Sequence, residues 1–297
     1  MTIDVLAIAG AGRSGSTLLE GMIADATRSA SIGEAIWIWE RGFRRDELCG
    51  CGERFQSCSF WTAVAVEAFG GLDQVPSERL IELQGLTLRR RYIPYLLGWG
   101  RPPTSFNEHL NELRELLSRF YGAIDRVAEG RLILDSSKHG AYLQVLAGSP
   151  GLTTRTVHLV RDARAVAFSW SRPKLRPEIH WDRQMMRTYG TLTATKMWIG
   201  DNLMASTLRR TTEYQMIRYE DLVDDPEQWV VELAAGCGNR PSGDSIVHSI
   251  GGNPARFERH APIRSDDRWR TEMATWRQWT VRLLTLPFEL VWPRQRD

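Results

Sequence analysis

Hydrophobic and polar positions along this chain follow two periods, and the switches between them outline the elements. Val5-Leu6-Ala7-Ile8-Ala9 is an unbroken apolar run, the pattern of a short strand covered on both faces. A helix is expected from Ser16 to about Asp25, and Ala30–Gly33 reads as the end of a second strand, with Glu34 just beyond. Residues 35–60, which hold Trp37 and Trp39, keep neither period and read as irregular. Residues 61–70 and 77–97 space their apolar side chains by three and four, as helices do. Pro102-Pro103 interrupts the pattern. Asn107 to Val127 then reads as a long amphipathic helix, with Leu110, Leu113, Leu116, Leu117 and Phe120 on one face. Leu132–Leu134 is a strand, His139–Ala147 a helix, Thr156–Val160 a β-branched strand and Arg164–Ser171 a helix stopped by Arg172-Pro173-Lys174. Residues 183–210 read as mostly helical, Tyr214–Arg218 as a strand, and Pro226–Ala235 as a helix opened by proline.

Strand and helix alternate, so the expected architecture is α/β: a parallel sheet with helices on both faces. No Pro/Ser-rich linker or repeat divides residues 1–297, which favours one domain with insertions. The helical blocks 61–129 and 183–210 exceed what connections need and read as walls of an acceptor site.

Chemistry enters at Gly10-Ala11-Gly12-Arg13-Ser14-Gly15-Ser16-Thr17, between the first strand and its helix. Backbone amides at such a junction are unpaired, and the helix dipole adds partial positive charge, so the loop suits a phosphate. A nucleoside-triphosphate loop would need lysine where Ser16 stands. Gly10, Gly12 and Gly15 match the dinucleotide fingerprint, with Glu34 near the place of a ribose-binding acid. A third reading moves the cation to Arg13 and keeps two hydroxyls behind Gly15, to hold a 5′-phosphate whose bridging oxygen leaves during group transfer. The glycines alone also suit a turn that binds nothing.

A second motif decides among these. Arg161 follows the strand Thr156–Val160, and Ser169 lies eight residues on, about two helical turns later. One guanidinium and one hydroxyl thereby flank a second anion site beyond a strand's carboxyl end, and a guanidinium fork matches phosphate geometry.

With both motifs present, the chain resembles the sulfotransferases that use 3′-phosphoadenosine 5′-phosphosulfate (PAPS). Arg13-Ser14-Gly15-Ser16-Thr17 resembles their 5′-phosphosulfate loop, and Arg161 with Ser169 resembles their 3′-phosphate pair. Leu134-Asp135-Ser136-Ser137-Lys138, Ile217-Arg218-Tyr219-Glu220-Asp221-Leu222 and Gly252-Asn253-Pro254-Ala255-Arg256-Phe257 extend the likeness over nearly the whole chain. Arginine in the first loop is closer to the tyrosylprotein and carbohydrate branches than to the cytosolic phenol and steroid branch.

The resemblance implies a P-loop-like three-layer fold and sulfuryl transfer from PAPS to a hydroxyl or amine of a small-molecule, carbohydrate or lipid acceptor, without a metal. It implies that Gly12, Arg13, Ser14, Gly15, Ser16, Thr17, Arg161, Ser169, Tyr219 and Arg256 bind the donor, with Arg264 as a further clamp. Arg172 and Lys174 would extend the 3′-phosphate site, although their spacing departs by about one residue from the tyrosylprotein branch. Arg13 and Lys138 would stabilise charge in the transition state, and Glu34 would be the general base, with His139 as its rival and His109 a weaker one. A nicotinamide-dependent oxidoreductase remains the alternative, resting on the three glycines alone.

Composition narrows the partners. A net charge of +2 gives no case for nucleic-acid binding, and only three of the 38 basic residues are lysines, which makes Lys138 noticeable. Met1-Thr2-Ile3-Asp4 lacks a positive leader, and the first apolar run is too short for a signal peptide or membrane span, so a cytoplasmic protein without a transmembrane segment is expected. A homodimer is compatible with these features. Cys49, Cys51 and Cys58 cluster ahead of Phe60-Trp61, with Cys237 distant. They read first as a packing element of a loop. Zinc binding would need a fourth ligand from elsewhere, and redox chemistry is the third option.

Overall fold

The computed structural model describes residues 2–236, 244–252, 266–289 and 291–292. Its sheet is built from β1 (Ile3–Ala9), β2 (Ser29–Gly33), β3 (Leu132–Lys138), β4 (Leu152–Val160), β5 (Glu213–Arg218) and β6 (Ile246–Ile250). Their spatial order is β5-β4-β1-β3-β2-β6, and every neighbouring pair is parallel. The helices before β4 are α1 (Ser16–Ala26), α2 (Ser59–Phe69), α3 (Ser77–Thr87), α4 (Ile93–Leu96), α5 (Thr104–Val127) and α6 (Gly140–Ala147). After it come α7 (Ala163–Ser171), α8 (Thr191–Thr207), α9 (Tyr219–Asp224), α10 (Pro226–Gly236), α11 (Trp269–Glu272) and α12 (Thr275–Glu289). Among the described residues no helix is long and apolar enough to cross a membrane.

The unbroken apolar run of β1 has the meaning expected of a doubly covered strand. Val5, Ala7 and Ala9 join the core formed with Phe120, Tyr121 and Ile124 of α5. Leu6 and Ile8 point the other way, into a core with Leu19 and Ile23 of α1 and Trp229 and Leu233 of α10. The sheet is therefore the middle of three layers. A third core under the carboxyl edge packs Val166 of α7 against Trp198 of α8 and Val281 of α12. Phe120 is fully buried, and such a side chain contributes about 2–3 kcal/mol by leaving water.

Several expectations need correction. The helix expected over 77–97 stops after Thr87, because Arg89 is extended, and resumes only as short turns over Arg90–Tyr92 and Ile93–Leu96. Residues 183–190 are not helical: the chain pairs with itself there, Met186 donating to the Lys174 carbonyl and Arg176 to that of Gln184. The 35–60 segment is more regular than expected, with a π-helical stretch over Ile38–Arg44. Strand β6 and helix α12 have no counterpart in the sequence reading.

The chain order fixes where a ligand can sit. From β1 the sheet grows first toward β3 and β2, then toward β4 and β5 on the other side. A crevice opens at such a reversal, beyond the carboxyl end of β1. The residues leaving β1, β3, β4 and β5 all reach it: Arg13, Lys138, Arg161 and Tyr219 line one cavity there.

Candidate active site

The loop after β1 is shaped by close approach. Gly10 adopts φ +130, and a Cβ there would sit 2.4 Å from the Leu159 carbonyl oxygen on β4. Gly15, at φ +96, is the N-cap of α1, and a Cβ on it would lie 2.5 Å from the Tyr219 ring. No side chain caps α1 and no acid stands in its first turn. Its first amides thus keep their donors, at the positive end of the dipole. Arg13 is also left-handed, at φ +72, which turns its guanidinium onto Trp170 at 4.7 Å and toward the Met186 sulfur at 2.9 Å.

Arg161 is locked to this loop. It donates to the Arg13 carbonyl at 3.2 Å and to that of Asp266 at 3.3 Å, and it stacks over the Tyr219 ring at 4.3 Å. Ser169, on α7, faces the same cavity, as does Lys174. Burial, then the nearby Arg13 charge, holds the Lys174 ammonium below its ordinary range, although Asp266 partly opposes this. Burial also lowers Arg13, with Glu34 opposing. Positive groups crowd this end of the cavity, an arrangement that favours an anionic ligand.

The other end carries a compact ion pair. Lys138 Nζ lies 2.5 Å from Glu34 Oε1 and 2.9 Å from the Ser136 carbonyl, and both side chains are largely buried. Lys138 reaches this position from a left-handed backbone, φ +63. Glu34 is held from the other side by its own amide, which donates to the Ile250 carbonyl of β6 at 2.8 Å.

Two buried acids, Glu20, which the sequence reading missed, and Asp135, to which it gave no role, order this end. Glu20 of α1 accepts from the Ser31 hydroxyl, the Gly33 amide and the Ser136 hydroxyl, at 2.5, 3.0 and 2.6 Å. It clamps together the ends of β2 and β3, and burial raises its carboxyl above the ordinary range. Asp135 accepts from Tyr121, from the Ser137 hydroxyl and from the Ser137 amide. Ser137 in turn accepts from the Ile36 amide at 3.0 Å, which fixes the turn following Glu34.

One cavity of about 960 Å³ receives Gly12, Arg13, Gly15, Ser16, Thr17, Glu34, Lys138, Arg161, Ser169 and Tyr219 among its lining. Ser14 stands behind it: its hydroxyl is buried and has no hydrogen-bond partner among the described residues. Arg256 and Arg264 lie outside the described residues. Arg172 turns away, paired with Glu272 at 2.6 Å, so only Lys174 of that pair reaches the cavity. His139 lines the cavity while its Nδ1 accepts from the Tyr142 amide as the cap of α6, and burial holds its imidazole below the ordinary range. His109 is not part of the lining.

The expected acceptor walls divide. Among the described residues none of block 61–129 lines the cavity; its apolar faces are spent on the core around Trp61, Leu113, Leu117 and Phe120. Block 183–210 does contribute, through Met186, Tyr189, Met197 and Asp201, opposite Trp37 and Arg41. Asp201 gave no motif signal, yet burial pushes its carboxyl up to about 6.

The topology also bears on the dinucleotide reading. In that fold the second strand lies beside the first, which brings its terminal acid to the ribose. Here β3 intervenes between β1 and β2, and Glu34 is paired with Lys138.

No protein-family model matches the sequence, and no curated protein matches it. A solved structure does: the sulfotransferase domain from the curacin biosynthetic pathway superimposes with a TM-score of 0.55 at 19% identity, covering 97% of this chain and 98% of that domain. The fold is that of a sulfotransferase domain. In this sulfotransferase fold the crevice beyond β1 holds all the described positions expected to bind donor, apart from the recessed Ser14.

Proposed function

We propose that the protein transfers a sulfuryl group from PAPS to a hydroxyl or amine of a small-molecule, carbohydrate or lipid acceptor. The observation that carries this reading is the meeting of three features in one cavity: the uncapped start of α1 with Arg13, the Arg161–Ser169 pair, and the Glu34–Lys138 pair. The first two offer separate sites for two phosphates. The third offers a proton acceptor and a cation where an acceptor would meet the sulfur.

In this reading the amides of α1 and Arg13 hold the 5′-phosphate and neutralise charge as its bridging oxygen departs. Arg161 and Ser169 hold the 3′-phosphate, and Tyr219 flanks the nucleotide. An acceptor oxygen attacks sulfur in line, the sulfur–bridging-oxygen bond breaks, and Glu34 takes the acceptor's proton. Lys138 passes from Glu34 to the sulfuryl oxygens as charge builds there. Trp37, Met186, Tyr189 and Met197 shape an apolar acceptor side, with Asp201 as its acid.

Calorimetry with 3′,5′-adenosine bisphosphate, 5′-AMP and NAD tests the donor assignment. The bisphosphate is expected to bind at least roughly tenfold more tightly than 5′-AMP, since a charge-assisted contact is worth ~1.5–3 kcal/mol. Preference for NAD would overturn the reading. Turnover of ³⁵S-labelled PAPS against fractionated acceptor mixtures then tests catalysis; binding without transfer to any acceptor would leave a nucleotide-binding module.

A further inference from the structure

Cys49, Cys51 and Cys58 line no part of the cavity, yet the fold gives the cysteine loop a partner. His248, on β6, meets Cys49, Cys51 and Cys58, and the four potential ligand atoms all lie within 4.8 Å of one another. Cys58 Sγ is 3.3 Å and Cys49 Sγ 3.7 Å from His248 Nδ1, and Cys51 Sγ is 3.7 Å from Cys58 Sγ. A tetrahedral zinc ion with Zn–S of about 2.3 Å and Zn–N of about 2.0–2.1 Å would separate its ligands by roughly 3.5–3.8 Å along each edge. Three of the observed separations, at 3.3, 3.7 and 3.7 Å, lie near that spacing, and no pair is more than 4.8 Å apart. They are far too long for a disulfide bond, about 2.05 Å.

We infer that Cys49, Cys51, Cys58 and His248 form a structural zinc site that fastens the cysteine loop to β6. All four positions are protein ligands, which is the closed arrangement of a structural rather than a catalytic ion. The surroundings hold the ligands in place. The His248 ring stacks flat on Phe60 at 4.4 Å, and the Trp61 indole donates to the His248 carbonyl at 3.0 Å. The intervening glycines serve the same approach: Gly50 donates to the Ser249 carbonyl at 2.8 Å, and a Cβ there would meet Ser249 Oγ at 2.4 Å. Gly52 turns the loop at φ +94, so that Cys51 comes back over Cys58. Cys49 and Cys58 are buried while Cys51 is exposed, which leaves one side open for the ion to enter.

The ion would act on the catalytic end at a distance. Among the described residues β6 pairs with β2 alone, through Ala30↔Ile246, Ser31↔Val247 and Gly33↔Ile250, and its last carbonyl holds the Glu34 amide. Pinning His248 to the cysteine loop pins the strand that fixes Glu34.

The test uses the full chain, purified from zinc-supplemented medium without chelator. Elemental analysis is expected to find a single zinc ion, released on titrating the thiols with a mercurial. Cobalt exchanged into the site is expected to show thiolate charge-transfer and tetrahedral d–d bands. Cys51→Ser, the exposed ligand and so the variant best able to fold, is expected to weaken zinc retention against a competing chelator by at least roughly 100-fold. Zinc removal is expected to lower Tm by at least about 5 °C, reversed on adding the ion back. Peptide mapping that finds a Cys51–Cys58 disulfide, bound iron in place of zinc, or Cys49, Cys51 and Cys58 all alkylatable with no uptake of zinc or cobalt would each overturn the assignment. These readouts do not depend on PAPS, so they stand or fall apart from the proposed activity.

Discussion

Lys138 Nζ touches Glu34 Oε1 at 2.5 Å, so the proposed base and the proposed electrostatic catalyst form an ion pair with each other. Donor and acceptor must share this pair between them. Glu34→Gln keeps size and hydrogen bonding but removes the proton acceptor. Turnover is expected to fall roughly 10²–10⁴-fold with bisphosphate affinity nearly unchanged. His139→Ala, measured beside it, should retain most activity. A dead His139→Ala with an active Glu34→Gln would move the base to the histidine.

Arg161→Ala and Ser169→Ala probe the far end of the cavity. Each is expected to weaken binding of 3′,5′-adenosine bisphosphate by roughly tenfold to a hundredfold, at ~1.5–3 kcal/mol per charge-assisted contact, and to leave 5′-AMP nearly unaffected. Arg161 also ties Arg13 and Asp266 together, so its melting temperature should be recorded with the isotherm. Equal losses for both nucleotides would remove the 3′-phosphate assignment.

Gly15→Ala places a methyl group 2.5 Å from the Tyr219 ring on a left-handed backbone. Such strain costs on the order of 1–3 kcal/mol, and relief requires Tyr219 or the loop to move. Lower Tm together with at least tenfold weaker nucleotide binding is expected. Tyr219→Ala in the same background should recover part of the Tm, since it removes the clash but leaves the backbone strain.

Two groups, the buried His158 and the half-buried Asp201, give stability opposite slopes with pH. His158, enclosed by Tyr214 and Asn202, is held down to about 4 by burial, so its contribution is complete above its ordinary 6.5 and is lost as pH falls toward 4. Asp201 is raised from 3.8 to about 6, so its contribution is complete below 3.8 and is lost as pH rises through 6. Urea unfolding at pH 4.5 and 7.5 separates them. The stability of Asp201→Asn relative to wild type should improve between those pH values by about 2 kcal/mol, and that of His158→Gln should worsen by a similar amount. Parallel curves for variants and wild type would contradict both assignments.

The strand, turn and helix around the glycine loop, and the place of Arg161 and Ser169 beside it, were legible because their signals are local. A buried strand, a glycine turn and a helix start lie within fifteen residues, and Arg161 and Ser169 share one strand-to-helix passage. The proposed roles of Glu34 and Lys138 came only through family resemblance, because nothing in their neighbourhoods reveals that β3 brings them together. Glu20, Asp201 and His248 left no trace at all. Each is a polar residue in an ordinary helix or strand whose meaning comes from another element. The 183–190 segment misled because its pairing partner is 174–176, and a helical period read over so few residues is weak against a local backbone pairing.

The sheet order has a consequence for the order of assembly. Ser31 pairs with Val247 and Gly33 with Ile250, so the strand that ends at the proposed base, already paired with β3, gains this second partner only after β3, β4 and β5 have been made. β1, β3 and β4 are all available well before that, and with them the phosphate loop and Arg161. A nascent chain released before residue 246 would therefore already hold the glycine loop and Arg161 of the proposed donor site while the Glu34 amide still lacked its Ile250 acceptor. Joining such distant segments is the slow step in building a sheet of this kind. The proposed donor binding should thus become possible before the proposed transfer, and the interval between them is set by how quickly β6 finds the edge of β2.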